Sequence, residues 1–99
     1  MSSKAPAPAW SNPLQHIITE SFALANKIVD GCFELAGKVV DGYFKEAVQR
    51  PIYRYLSTGN MTRSELIEQV CIIIAQFLGV SPEIMRAIVN MVTAILSNV

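Results

Sequence analysis

The stretch ANKIVDGCFELAGKVVDGYFKEA, residues 25–47, contains nearly the same run of residues twice. With the residues before it, it forms three successive elevens: LQHIITESFAL (14–24), ANKIVDGCFEL (25–35) and AGKVVDGYFKE (36–46). The same columns are apolar in each eleven, and the aromatic column is Phe22, Phe33 and Phe44. Because eleven residues make three turns at about 3.67 residues per turn, near the natural helical period, the apolar face stays almost straight. The repeat predicts one long amphipathic helix over about 13–49.

The limits of this helix come from proline. Pro13 follows Ser11 and Asn12, which is an N-cap with proline in the first turn, and Pro51 stops or bends the helix. Residues 1–12 are rich in Pro, Ala and Ser, so we expect a flexible arm that precedes a single helical domain over 13–99. Trp10 in this arm is a candidate strap onto a neighbouring subunit, or it folds back on its own domain.

Two shorter helices follow. Thr62 and Glu65 have the spacing of a capping box, and Gly79 is a helix-ending residue. Ser81 and Pro82 form a further N-cap with proline at the first position. These signals predict helices over about 62–78 and 82–97, packed as an apolar hairpin. The predicted fold class is all-α.

Burial is the main problem for such a chain. Of its 99 residues, 52% are hydrophobic and 16% are charged, against about 25% charged in an ordinary soluble domain. A straight helix over 13–49 would be about 54 Å long, longer than the roughly 34 Å diameter of a compact domain of this size. Either the helix breaks near Gly31 or Gly37, or its uncovered face packs against other copies or lipid. We expect self-association.

The candidate interface residues are those that such an assembly would bury. Gly31 and Gly42 recur at one edge of the apolar face, where they would permit close approach of another backbone or a local kink. Arginine and tyrosine alternate in RPIYRYL, residues 50–56, a composition that fits either an ordinary cluster at a helix end or a subunit contact. The full candidate set is Trp10, Phe22, Phe33, Phe44, Gly31, Gly42, Tyr53, Tyr55, Ile88, Val92 and Ile95.

No set of residues indicates catalysis, a metal site or a cofactor site. His16 is the only histidine and has no suitably spaced partners. Cys32 and Cys71 lie in apolar runs without CxxC spacing, so we expect buried, reduced thiols. Eight basic side chains balance eight acidic ones, which disfavours nucleic acid as a partner.

These observations predict a non-enzymatic structural protein whose partner is itself, as the subunit of a homo-oligomer, filament or shell. One alternative is a peripheral protein on a lipid surface, and another is an adaptor or chaperone that covers its apolar surface with a different protein. The N-terminal residues contain no apolar run of the kind that secretory signals need, so we expect the chain to stay inside the cell.

Overall fold

The computed structural model describes residues 13–38 and 42–99, and within these ranges the chain forms four α-helices and no strand. They are α1 (Pro13–Ala36), α2 (Gly42–Thr58), α3 (Arg63–Leu78) and α4 (Pro82–Leu96). Each helix packs against the next one along the chain, and α1 also packs against α4. The prediction of an all-α fold is confirmed. The predicted arm, with Trp10, lies outside the described residues.

The first two helices replace the single helix expected over 13–49. α1 ends at Ala36, Gly37 has a left-handed φ of 67°, and its N–H donates to the carbonyl of Phe33 at 2.8 Å. α2 begins at Gly42, so the third eleven is divided between two helices and their connection. The physical reason is burial, since a chain that reverses here packs the apolar face of α2 onto that of α1. This corrects the expectation of one continuous helix and corresponds to the alternative of a break near Gly37.

Pro51 does not end α2, which continues as far as Thr58. Its side chain is buried, and it lies beside Ile52 among the buried residues of the helix. A proline inside a helix removes one backbone hydrogen bond, and α2 nevertheless continues through this position. The RPIYRYL segment, residues 50–56, is therefore part of α2.

The capping signals of the last two helices are confirmed. The Thr62 hydroxyl accepts from the Glu65 N–H at 3.1 Å, and the Glu65 carboxylate accepts from the Thr62 N–H at 2.8 Å. Gly79 ends α3 with a left-handed φ of 56°. Ser81 caps α4 by accepting from the N–H of Ile84 at 3.3 Å, with Pro82 in the first turn. These local interactions satisfy backbone groups that helix ends leave without partners.

The four helices enclose one apolar core. Its buried side chains are Leu24, Ala25, Ile28, Cys32, Phe44, Val48, Ile52, Leu66, Val70, Ile74, Leu78, Ile88, Val92 and Leu96. Among the described residues, Ser21 is the buried polar side chain. Its hydroxyl donates to the carbonyl of Ile18 at 2.8 Å and accepts from the amide of Gln49 at 2.8 Å. This hydrogen bond joins α1 to α2 and fixes their register, because a buried polar group is stable only when it is paired.

Replacing Gly37 or Gly42 by alanine should show whether the left-handed backbone at the chain reversal contributes to stability, apart from the general effect of alanine on helix formation. Gly37→Ala places a Cβ at φ 67° and should lower the free energy of unfolding by about 1 kcal/mol or more. Gly42 begins α2, and a Cβ added there would meet open space, so Gly42→Ala should change stability by no more than about 0.5 kcal/mol. Urea titration of both variants measures the difference. Equal effects would contradict the role given to Gly37.

Candidate interaction surfaces

Three of the candidate interface residues lie inside the chain's own core. Phe44 is 1% exposed, and Ile88 and Val92 are 0% exposed. Ile88 and Val92 are covered because α4 packs against both α1 and α3. In this conformation their side chains do not reach a second copy, which corrects their assignment to a surface. Aspartate at Ile88 or Val92 would therefore unfold the chain, and it would not test assembly.

The two candidate glycines have different surroundings. A Cβ on Gly31 would lie 2.8 Å from the Sδ and Cε atoms of Met91, so α4 approaches α1 closely at this point. The neighbour is a flexible side chain and not the backbone that the sequence suggested. A Cβ on Gly42 would have nothing within 4 Å. Among the described residues, no close helix approach accounts for Gly42.

The other candidates are divided between partial burial and the surface. Phe22, Tyr53, Tyr55 and Ile95 are half-buried, whereas Phe33 is 49% exposed. The aromatic column of the repeat therefore does not share one environment, because its three members lie on two helices that pack against each other.

One end of the bundle brings together the end of α1, the start of α2 and the end of α3. The Nζ atom of Lys38, just after α1, donates to the carbonyl of Leu78 at the end of α3, at 2.9 Å. At the same end, the rings of Phe44 and Phe77 lie with centroids 5.2 Å apart and planes tilted by 43°. The start of α2 and the end of α3 are therefore held side by side. Tilted aromatic pairs contribute to stability beyond the effect of the apolar area that they bury.

This end also carries most of the large apolar side chains that the described residues expose. They are Phe33 (49%), Leu35 (40%), Tyr43 (73%) and Phe77 (37%), which we call the apolar end. Leu14 (53%) and Ile72 (51%) are the other exposed large apolar residues within the described ranges, and they are not part of the apolar end. Phe33 was predicted as an interface residue, whereas Leu35, Tyr43 and Phe77 were not in that set. Only the reversal after Ala36 places them at one end, and the repeat does not indicate it.

A second surface lies between α1 and the end of the chain. It is an open groove of about 400 Å³, which we call the α1–α4 groove. Its lining residues are Glu20, Leu24, Lys27, Ala94, Ile95, Asn98 and Val99. Leu24 is 6% exposed and lies at its base, whereas the charged side chains of Glu20 and Lys27 are exposed. Nearby, Arg63 donates to the carbonyl of Val99 at 2.9 Å and ties α3 to this segment.

The two thiols are free and lie in apolar surroundings. Burial raises the pKa of Cys32 from 9.0 to about 11, and the nearby Cys71 adds to the rise. Burial also raises the pKa of Cys71. A raised pKa keeps a thiol protonated, which makes it a poor nucleophile and a poor metal ligand. Within the described residues, His, Cys, Asp and Glu side chains form no group of three that could hold a metal ion.

None of the helices within 13–38 and 42–99 combines the length and apolar character needed to cross a membrane. Comparison with protein-family models, with curated proteins and with solved structures gives no match.

The pKa of Cys32 leads to a prediction about alkaline pH. Below about pH 9 both the folded and the unfolded chain hold the thiol proton, whereas between 9 and 11 only the folded chain keeps it. The unfolded state then binds fewer protons, so stability must fall as pH rises through this window. Urea unfolding between pH 8 and pH 11 should show that the free energy of unfolding falls less for Cys32→Ala than for the unmodified chain. The two profiles would run parallel if burial did not perturb Cys32.

Proposed function

We propose that this chain is a non-enzymatic structural protein that associates with itself, and that copies meet through the apolar end. The observation that supports the proposal most strongly is that Phe33, Leu35, Tyr43 and Phe77, exposed by 37–73%, all lie at the same end of the bundle. Contact between copies would remove this apolar surface from water, which favours association. Aromatic side chains are also enriched at the centres of protein interfaces.

The charges near this end favour a second copy as the partner. The last turn of α1 and the first five residues of α2 and of α4 contain both signs in similar number: Glu34, Lys45, Glu46, Glu83 and Arg86, with Lys38 just after α1. An anionic lipid surface or a nucleic acid would favour an excess of basic residues. A rim of mixed sign allows two copies of the same surface to approach without net repulsion.

The bundle also changes how assembly is expected to occur. Because α4 covers its apolar face inside the chain, association takes place between units that already have a closed core. Interfaces between folded units are smaller than those of subunits that fold together, and their copies can exchange. The chain is therefore proposed as a preformed building unit of a homo-oligomer.

Removing two aromatic side chains from the apolar end should weaken assembly. Phe33→Gln with Tyr43→Gln should raise the dissociation constant roughly tenfold or more, because each buried aromatic contributes about 1–2 kcal/mol. Sedimentation velocity over a wide concentration range should show smaller species than for the unmodified chain. Ile72→Gln is the matched control, since Ile72 is 51% exposed but lies in the middle of α3.

Two results would overturn the proposal. The first is an unmodified chain that stays at 10.9 kDa at every concentration. The second is equal weakening by the double variant and by Ile72→Gln. A monomer that floats with neutral or anionic liposomes, and loses this property in the double variant, would instead assign the apolar end to lipid.

A further inference from the structure

The α1–α4 groove carries two opposite charges on one helix. Glu20 and Lys27 both line it and both are exposed, and seven residues of α1 separate them, which is about 10.5 Å along the axis. Within the described part of the chain, neither side chain makes a hydrogen bond or an ion pair. The groove therefore presents a negative and a positive group that make no direct pair within the described residues.

This arrangement is complementary to its own reversed copy. When a second α1 runs antiparallel across the first, its Lys27 lies opposite Glu20 and its Glu20 lies opposite Lys27. His16 and Asp30 are exposed at similar distances on either side of the same midpoint, so they face each other in the same register. The midpoint falls between Ala23 and Leu24, and the exposed methyl group of Ala23 is small enough for two helices to approach closely.

The groove also contains apolar side chains beside the charged residues of α1. Leu24 forms its base, and Ile95 on α4 is half-buried in its wall. A helix of a second copy laid along α1 would cover the exposed part of Ile95, whereas Leu24, 6% exposed, is already covered by its own chain. The charges would select the antiparallel register, and the apolar surface that is covered would add to the affinity.

We propose that two copies pair across the α1–α4 groove through antiparallel α1 helices related by a two-fold axis near Ala23. The proposal rests on the proposed self-association, but it concerns a second surface with its own residues. A chain with two self-complementary surfaces, the apolar end and this groove, can join copies alternately into an open chain or a ring. One self-complementary surface alone would stop at a dimer.

The test exchanges the two charges and uses the Phe33→Gln, Tyr43→Gln background, in which contact through the apolar end is weakened. In this background the chain should still form a species of twice 10.9 kDa. Glu20→Lys makes both ion pairs repulsive between lysines, and Lys27→Glu makes both repulsive between glutamates. Each substitution alone should weaken the dimer roughly tenfold, on the scale of two exposed ion pairs turned repulsive.

Complementation is the decisive step. An equimolar mixture of the Glu20→Lys and Lys27→Glu proteins should form a heterodimer, because the lysines of one chain then face the glutamates of the other at both ion pairs. The double exchange in one chain should also restore the homodimer. Glu68→Lys, at an exposed position on α3, makes the same charge change as Glu20→Lys and should leave the dimer unchanged.

The outcomes separate the two proposals. The pairing across the groove is overturned if the unmodified chain self-associates but the mixture forms no heterodimer. It is also overturned if the unmodified chain self-associates but the background variant forms no dimer. In both cases the proposed contact through the apolar end still stands. A monomeric unmodified chain overturns both proposals. Equal weakening by Glu68→Lys would show an effect of net charge and would also overturn the antiparallel register.

Discussion

The structure depends on the reversal of the chain between α1 and α2. Ala36 ends α1, and Gly37 takes a left-handed φ of 67° that side chains other than glycine rarely adopt. Only because the chain turns here can Gln49 on α2 reach the buried hydroxyl of Ser21 on α1. The same turn lets α2 cover the apolar face of α1, with α3 and α4 completing the core. A straight helix over the same residues would leave that face to other molecules.

The parts of the fold that local chemistry determines were predictable. The capping box of Thr62 and Glu65 and the cap formed by Ser81 and Pro82 place the start of α3 and α4 within about one residue, because their partners lie within three positions along the chain. The break after Ala36 was not predictable from local chemistry, since the apolar columns of the eleven-residue repeat continue with the same helical spacing on both sides of it. Gly31 and Gly37 both offered a place to break, and packing decided between them: Gly31 remains helical against Met91.

The candidate surfaces could also not be predicted from local sequence patterns alone. A sequence pattern shows that a face is apolar, but it does not show whether the chain's own helices or a partner cover it. Ile88 and Val92 illustrate the first case, because α1 and α3 bury them completely. Leu35 and Tyr43 illustrate the opposite, since they are large apolar residues within the eleven-residue repeats and yet are exposed at the end of the bundle. Closing the core thus moves the uncovered apolar surface from the side of a helix to one end.

The distance between Thr19 and Arg50 tests the reversal most directly. Both residues are exposed, and they are neighbours of the hydrogen-bonded pair Ser21 and Gln49. Spin labels at these two positions, with Cys32 and Cys71 replaced by alanine and an excess of unlabelled protein to dilute contacts between copies, report this distance by electron paramagnetic resonance. The reversed chain predicts less than about 20 Å, as for adjacent packed helices. A separation of about 46 Å, the length of 31 helical residues, would show one continuous helix and contradict the account.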